Sequence, residues 1–132
     1  MQYAMDVRNA GLDARAATVG PSAVLKIFDG VLPASCASAD NGTVLSTIQL
    51  PNTWMSPAVN GSKSKAGTWQ DNAADASGTP HYFRIYKADG VTCGIQGTCG
   101  LAAPSDMILD SVQFTAGQQF TVVTFTLNDN NG

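Results

Sequence analysis

The chain has 132 residues, 44% hydrophobic and only 13% charged, with a net charge of −3. That length fits one domain with a real core. The seven Lys and Arg residues form no cluster, which argues against a nucleic-acid surface, and no apolar run approaches the ~20 residues of a membrane span. All ten acidic residues are Asp. The polar surface therefore rests on Thr, Ser, Asn, Gln and Gly, a balance that points to strands rather than helices.

Residues 1–20 show no basic n-region and no continuous apolar h-region, so no secretory signal is expected and synthesis is expected in the cytoplasm. Within this segment Tyr3, Val7, Ala10, Ala14 and Ala17 step by four and three, an apolar stripe that predicts a helix over 2–18 stopped by Gly20-Pro21. The stripe is mostly alanine and Gly11 weakens it, so the helix needs a surface, either its own sheet or a neighbouring subunit.

Ala23 to Asp29 reads as the first strand, with Leu25 and Ile27 inward, and Thr43 to Leu50 as the second. Residues 51–80 are the least regular; short strands are expected at 67–71 and 53–59, around a polar Gly/Ser/Lys loop. The clearest stretch is His81 to Gly97. Its first half is dense in aromatic and β-branched types, Asp89-Gly90 marks a primed hairpin turn, and Val91 to Ile95 returns. His81, Phe83 and Ile85 share one face, while Tyr82, Arg84 and Tyr86 share the other. Large side chains on both faces predict an interior position in a sheet. Thr98 to Gly100, Met107 to Phe114 and Gln118 to Leu127 complete the strands, the last with a phase change that calls for covered faces or a bulge near Val122. The expectation is an all-β fold: an antiparallel sandwich or jelly roll of seven to nine strands over 21–127, with one N-terminal helical segment at 1–20 and a polar tail at 128–132.

Chemistry is sparse. His81 is the single histidine and lies outside any nucleophile motif, so a loop hydrogen bond or packing is its expected role, and no enzyme is expected. Cys36, Cys93 and Cys99 are an odd count and are expected as thiols; a Cys93–Cys99 bond across a Gly-rich turn is the alternative. Asp71, Asn72 and Asp75, and separately Asp106 and Asp110, group oxygen ligands without an ordered calcium pattern, and neither a metal nor another cofactor is implied. The sequons at Asn41 and Asn60 read as Asn-Gly turns. Trp54 and Trp69 are core candidates; exposed beside a polar groove, they would be candidates for stacking on sugar rings.

The series QYAMDVRNAGLDA, LKIFDG with Pro33 after it, LPNTWM, GTW, HYFRIYKADG and SVQFTAGQQFTVVTFTL, in that order, resembles a family of small structural proteins of tailed bacteriophages of the short-tailed type. The resemblance covers nearly the whole chain and carries no catalytic motif. It implies a capsid cement or decoration protein that clamps neighbouring major capsid subunits on the outer surface of the virion, as a homo-oligomer of which a symmetric dimer fits best. Under that reading the candidate contacts are Tyr3, Val7, Ala10 and Ala14 of the N-terminal segment and Lys63 and Lys65 of the 56–67 loop. The alternatives are a tail or connector component and a host-surface glycan-binding module using Trp54 and Trp69.

Overall fold

A computed structural model describes residues 1–129. Among them are one helix, α1 (Met5–Val19), and eight strands: β1 (Val24–Phe28), β2 (Val44–Gln49), β3 (Ser62–Ser64), β4 (Gln70–Asp71), β5 (Tyr82–Tyr86), β6 (Cys93–Gly100), β7 (Met107–Leu109) and β8 (Phe120–Asn128). The strands form one sheet in the order β2-β1-β5-β6-β7-β8-β3, with β4 also on β8. The sheet curls around a single core. Its ends approach each other where Ser46 Oγ donates to Asp71 Oδ2 at 2.5 Å and the Asp75 amide donates to the Leu45 carbonyl at 2.8 Å. The mainly β character is as expected. A purely antiparallel sheet is not: β6 and β7 run parallel, because the connection over 101–106 carries the chain back across the sheet instead of turning it as a hairpin.

β5 is the interior strand its two large faces require. All five of its residues are buried, between β1 and β6. Phe83 and Ile85 enter the main core with Leu25, Ile27, Met107 and Phe125. Tyr82 and Tyr86 form a second cluster with Phe28 on the opposite face, where the Phe28 and Tyr82 rings stack at 4.7 Å. The bulge expected near Val122 is present: Ile108 pairs with Thr124 but Leu109 with Val122. It leaves Val123 half-exposed while Val122 and Phe125 are both buried.

Several local expectations change. The strand pair of residues 53–65 is a hairpin whose return arm, β3, lies in the polar loop segment; Asn60 and Gly61, at φ 53° and 75°, form its two-residue turn. Two successive left-handed residues are what a primed turn needs, and Asn-Gly supplies them. At Asp89-Gly90 only Gly90 is left-handed, at φ 69°. The turn is instead closed by the Gly90 amide on the Lys87 carbonyl, with the Asp89 carboxylate accepting the Val91 and Thr92 amides at 2.8 Å each. Thr92 hydrogen bonds hold that carboxyl at about 2. The two short strands expected at 91–95 and 98–100 are one continuous β6, and the strand expected at 107–114 stops at Leu109. Asn128 ends β8 and the Asp129 amide donates to Gly61, so neither belongs to a tail; the remaining tail positions, 130–132, lie outside the described residues.

The cysteines are the largest correction. Cys36 and Cys93 are joined, with Cα atoms 5.3 Å apart, and Cys99 is the free one. The cause is the loop over 31–41, which folds across the outer face of β5 and β6. Arg84, itself buried, donates to the Ser35 and Ser38 carbonyls at 3.1 and 2.8 Å and to Gln96 Oε1 at 3.1 Å. Tyr82 Oη donates to the Asn41 carbonyl at 2.7 Å. These bonds carry Cys36 to Cys93, although 57 positions separate them.

Candidate interaction surface

α1 packs on its own sheet, and it does so with the side opposite its apolar stripe. Leu12 and Val19 are buried, with Ala16 partly so; successive i+4 and i+3 steps place these three on one face. The same side is fastened by polar bonds to the 56–63 hairpin. Asn9 Oδ1 accepts the Gly61 amide at 2.9 Å, Asp13 Oδ1 accepts the Ala58 amide at 3.0 Å, and Lys63 Nζ donates to Asp13 at 2.7 Å. Arg8 Nη2 donates to the Asp129 carbonyl. The hydrogen bond from Lys63, then that from the Ala58 amide, holds the Asp13 carboxyl below the ordinary carboxylate range.

Val7, Ala10 and Ala14 therefore face outward; Tyr3 and Val7 are each 53% exposed. Val7, Ala10 and Ala14 are brought together on one face of α1, whereas Tyr3 lies ahead of the helix, which begins at Met5 and not at residue 2, so the helical spacing does not fix its place. The two expected lysine contacts are not part of that face. Lys63 is buried and serves as the anchor of α1, so it offers no free charge to a partner. Lys65 is half-buried and donates to the Gly67 carbonyl at 3.0 Å.

Beside α1, between it and β6, runs a groove of about 620 Å³ lined by Ala14, Arg15, Thr18, Lys87, Ile95 and Leu127 among others. Sequence reading passes over Arg15 and Lys87 because they are isolated cations 72 positions apart; only the packing of α1 across β6 makes them neighbours of one groove.

The residues weighed for other chemistry hold structural positions. Trp54 and Trp69 are buried, with ring centroids 6.2 Å apart, and their indole nitrogens donate to the Gly20 and Ala66 carbonyls. Neither ring offers a face to a sugar, so the stacking role is set aside and the core role stands. His81 Nδ1 donates to the Asp29 carbonyl at 2.7 Å, a loop hydrogen bond. Asp71 and Asp75 accept Ser46 and Thr47 hydroxyls, Asp106 accepts the Thr98 amide and Asp110 the Thr121 amide; Asp71 ties β4 to β2, and the other three carboxylates each staple a loop to a strand. Burial pushes the Cys99 thiol up to about 12. Among the described residues no helix is long and apolar enough to cross a membrane.

No family model, no curated protein and no solved structure matches the chain.

Proposed function

We propose that the chain is a virion structural protein of a tailed bacteriophage: a capsid cement or decoration protein that binds neighbouring major capsid subunits by protein–protein contacts. The observation that carries the reading is the orientation of α1. A helix held by Leu12, Val19 and the Asp13–Lys63 pair turns its apolar stripe away from its own core. Monomeric proteins keep few contiguous apolar surfaces without a use for them. The resemblance of the sequence series to small phage capsid proteins gives that surface its partner. The finer sandwich or jelly-roll architecture belongs to the same reading, and the curl of the sheet around one core supports it.

A clip that joins subunits needs more than ~1,000 Å² of contact, more than one helix face supplies. A symmetric dimer presents two such faces related by a two-fold axis and meets that need. The tail or connector alternative would use the same surface and differs in copy number.

The test is a pair of outward substitutions, Val7→Asp and Ala14→Asp, made together. Both side chains are exposed, so the fold and its unfolding midpoint are expected to stay unchanged. Occupancy on capsids is expected to fall at least tenfold. Normal occupancy by the double variant would sink the reading. Deleting residues 2–18 is a poorer test, because it removes Leu12 from the core and leaves Lys63 buried without Asp13.

A further inference from the structure

β7 is short, and both of its neighbours run past it. It pairs with β6 only at Cys99 and Gly100, and with β8 only from Phe125 to Val122. Before Met107 the chain leaves the sheet, yet β6 continues back to Cys93 and β8 continues on to Asn128. Where β7 lies between them, β6 and β8 stand two strand spacings apart, about 9.6 Å, and beyond Met107 a cavity lined by both strands opens between them. The result is a slot one strand wide, in line with β7.

The hydrogen-bond phase shows what the slot offers. The Cys99 amide donates to His81 across the β5 side of β6, so Gly97 and Ile95 also turn their backbone groups toward β5. Thr98 and Gln96 turn theirs toward the slot; the bulge opposite Tyr86 breaks the alternation at Gly94. On β8 the Phe125 carbonyl accepts Lys65 and the Asp129 amide donates to Gly61, both on the β3 side. Thr126 and Asn128 therefore face the slot. Asp106 occupies its head: its Oδ2 accepts the Thr98 amide at 3.0 Å, as the carbonyl of a next strand residue would. Past that point no described strand pairs either edge.

The slot holds about 330 Å³ and is lined by Phe83, Ile95, Phe125 and Leu127, with Arg15 beside them. Arg15, Ile95 and Leu127 also line the groove along α1, so the two spaces join, with Lys87 further along. Among the described residues Arg15 has no ion-pair or side-chain hydrogen-bond partner. A chain of net charge −3 thus sets two cations around an apolar floor and two unpaired strand edges.

We infer that this slot is a β-augmentation site for an extended peptide strand with alternating apolar residues and carboxylate side chains. The strand runs in the direction of β7, continues both ladders, rests apolar side chains on Ile95 and Leu127, and pairs its carboxylates with Arg15 and Lys87. The site goes beyond the capsid reading; Ala14, which lines the joined groove, is the residue it shares with the outward face of α1.

The test uses the full chain and two synthetic octapeptides, one alternating Val with Asp and Thr, the other with Lys in place of Asp. Binding is read by fluorescence anisotropy and by amide exchange. The Asp peptide is expected to bind at least tenfold more tightly than the Lys peptide and to protect the Gln96 and Thr126 amides. Arg15→Glu is expected to reverse the preference. Thr126→Pro removes a slot-facing N–H and the hydroxyl contact with Ser64 but no backbone hydrogen bond to β3, and is expected to leave a cooperatively folded chain that binds at least tenfold more weakly. Equal binding of the two peptides, no binding, or no protection of those amides would overturn the inference. So would a dimer of the chain itself that protects the same amides without peptide, since a second copy would then be the occupant.

Discussion

Lys63 Nζ lies 2.7 Å from Asp13 Oδ1, and this ion pair, beside the Asn9–Gly61 and Asp13–Ala58 bonds, joins the helix to the hairpin that carries β3. Lys63 is buried while Asp13 is half-exposed. The pair sets a pH dependence. The folded-state pKa of Asp13 is depressed below its ordinary 3.8, so its contribution is present above that value and lost as the pH falls through the lower folded value. Thermal unfolding of the wild type and Asp13→Asn should therefore differ at neutral pH and converge at the acid end. A difference that persists below both values would show that the carboxylate charge is not the cause.

Leu12 is fully buried on a helix whose remaining surface is mostly small or polar. Leu12→Ala should cost about 2–5 kcal/mol in urea unfolding, the range for a large-to-small change in a core. A loss below ~1 kcal/mol would mean that the helix rides loosely on the sheet.

Gly94 meets Val19 where α1 crosses β6. A Cβ there would stand 2.8 Å from Val19 Cγ2, well inside contact distance. Gly94→Ala should destabilise by about 1–3 kcal/mol, as overpacking does, and increase amide exchange in the last turn of α1. Pairing it with Val19→Ala should recover part of the loss.

The Cys36–Cys93 bond closes a long loop, and its removal by Cys36→Ser with Cys93→Ser should cost up to about 4 kcal/mol. The loop itself should keep its place in that variant, since Arg84 still holds the Ser35 and Ser38 carbonyls. Arg84→Met should release it. In the native protein Cys99, with its thiol pushed up to about 12, should resist iodoacetamide at neutral pH and react only on unfolding. Peptide mass mapping after labelling reads both outcomes.

The sheet was the legible part, because β5 carries large residues on both faces and the flanking strands alternate around Gly and Pro breaks. β3 was hidden: Ser62, Lys63 and Ser64 have no strand character of their own and are held by the long edge of β8. The helix was half legible. Periodicity located the stripe of Tyr3, Val7, Ala10 and Ala14, but could not say which side meets the sheet. That side is decided by Leu12, Val19 and the polar anchors Asn9 and Asp13, whose partners lie 45 to 52 positions away. The disulfide was invisible for the same reason, since Arg84 rather than spacing brings Cys36 to Cys93. The slot beside β7 depends on three strands ending at different heights, which no local pattern records.

The most direct measurement is the copy number of the chain in purified phage particles, counted by quantitative mass spectrometry against the major capsid subunit. The cement reading predicts hundreds of copies per particle, spread over the shell. A dozen or fewer would move the chain to the tail or connector, and absence from particles would contradict a virion role.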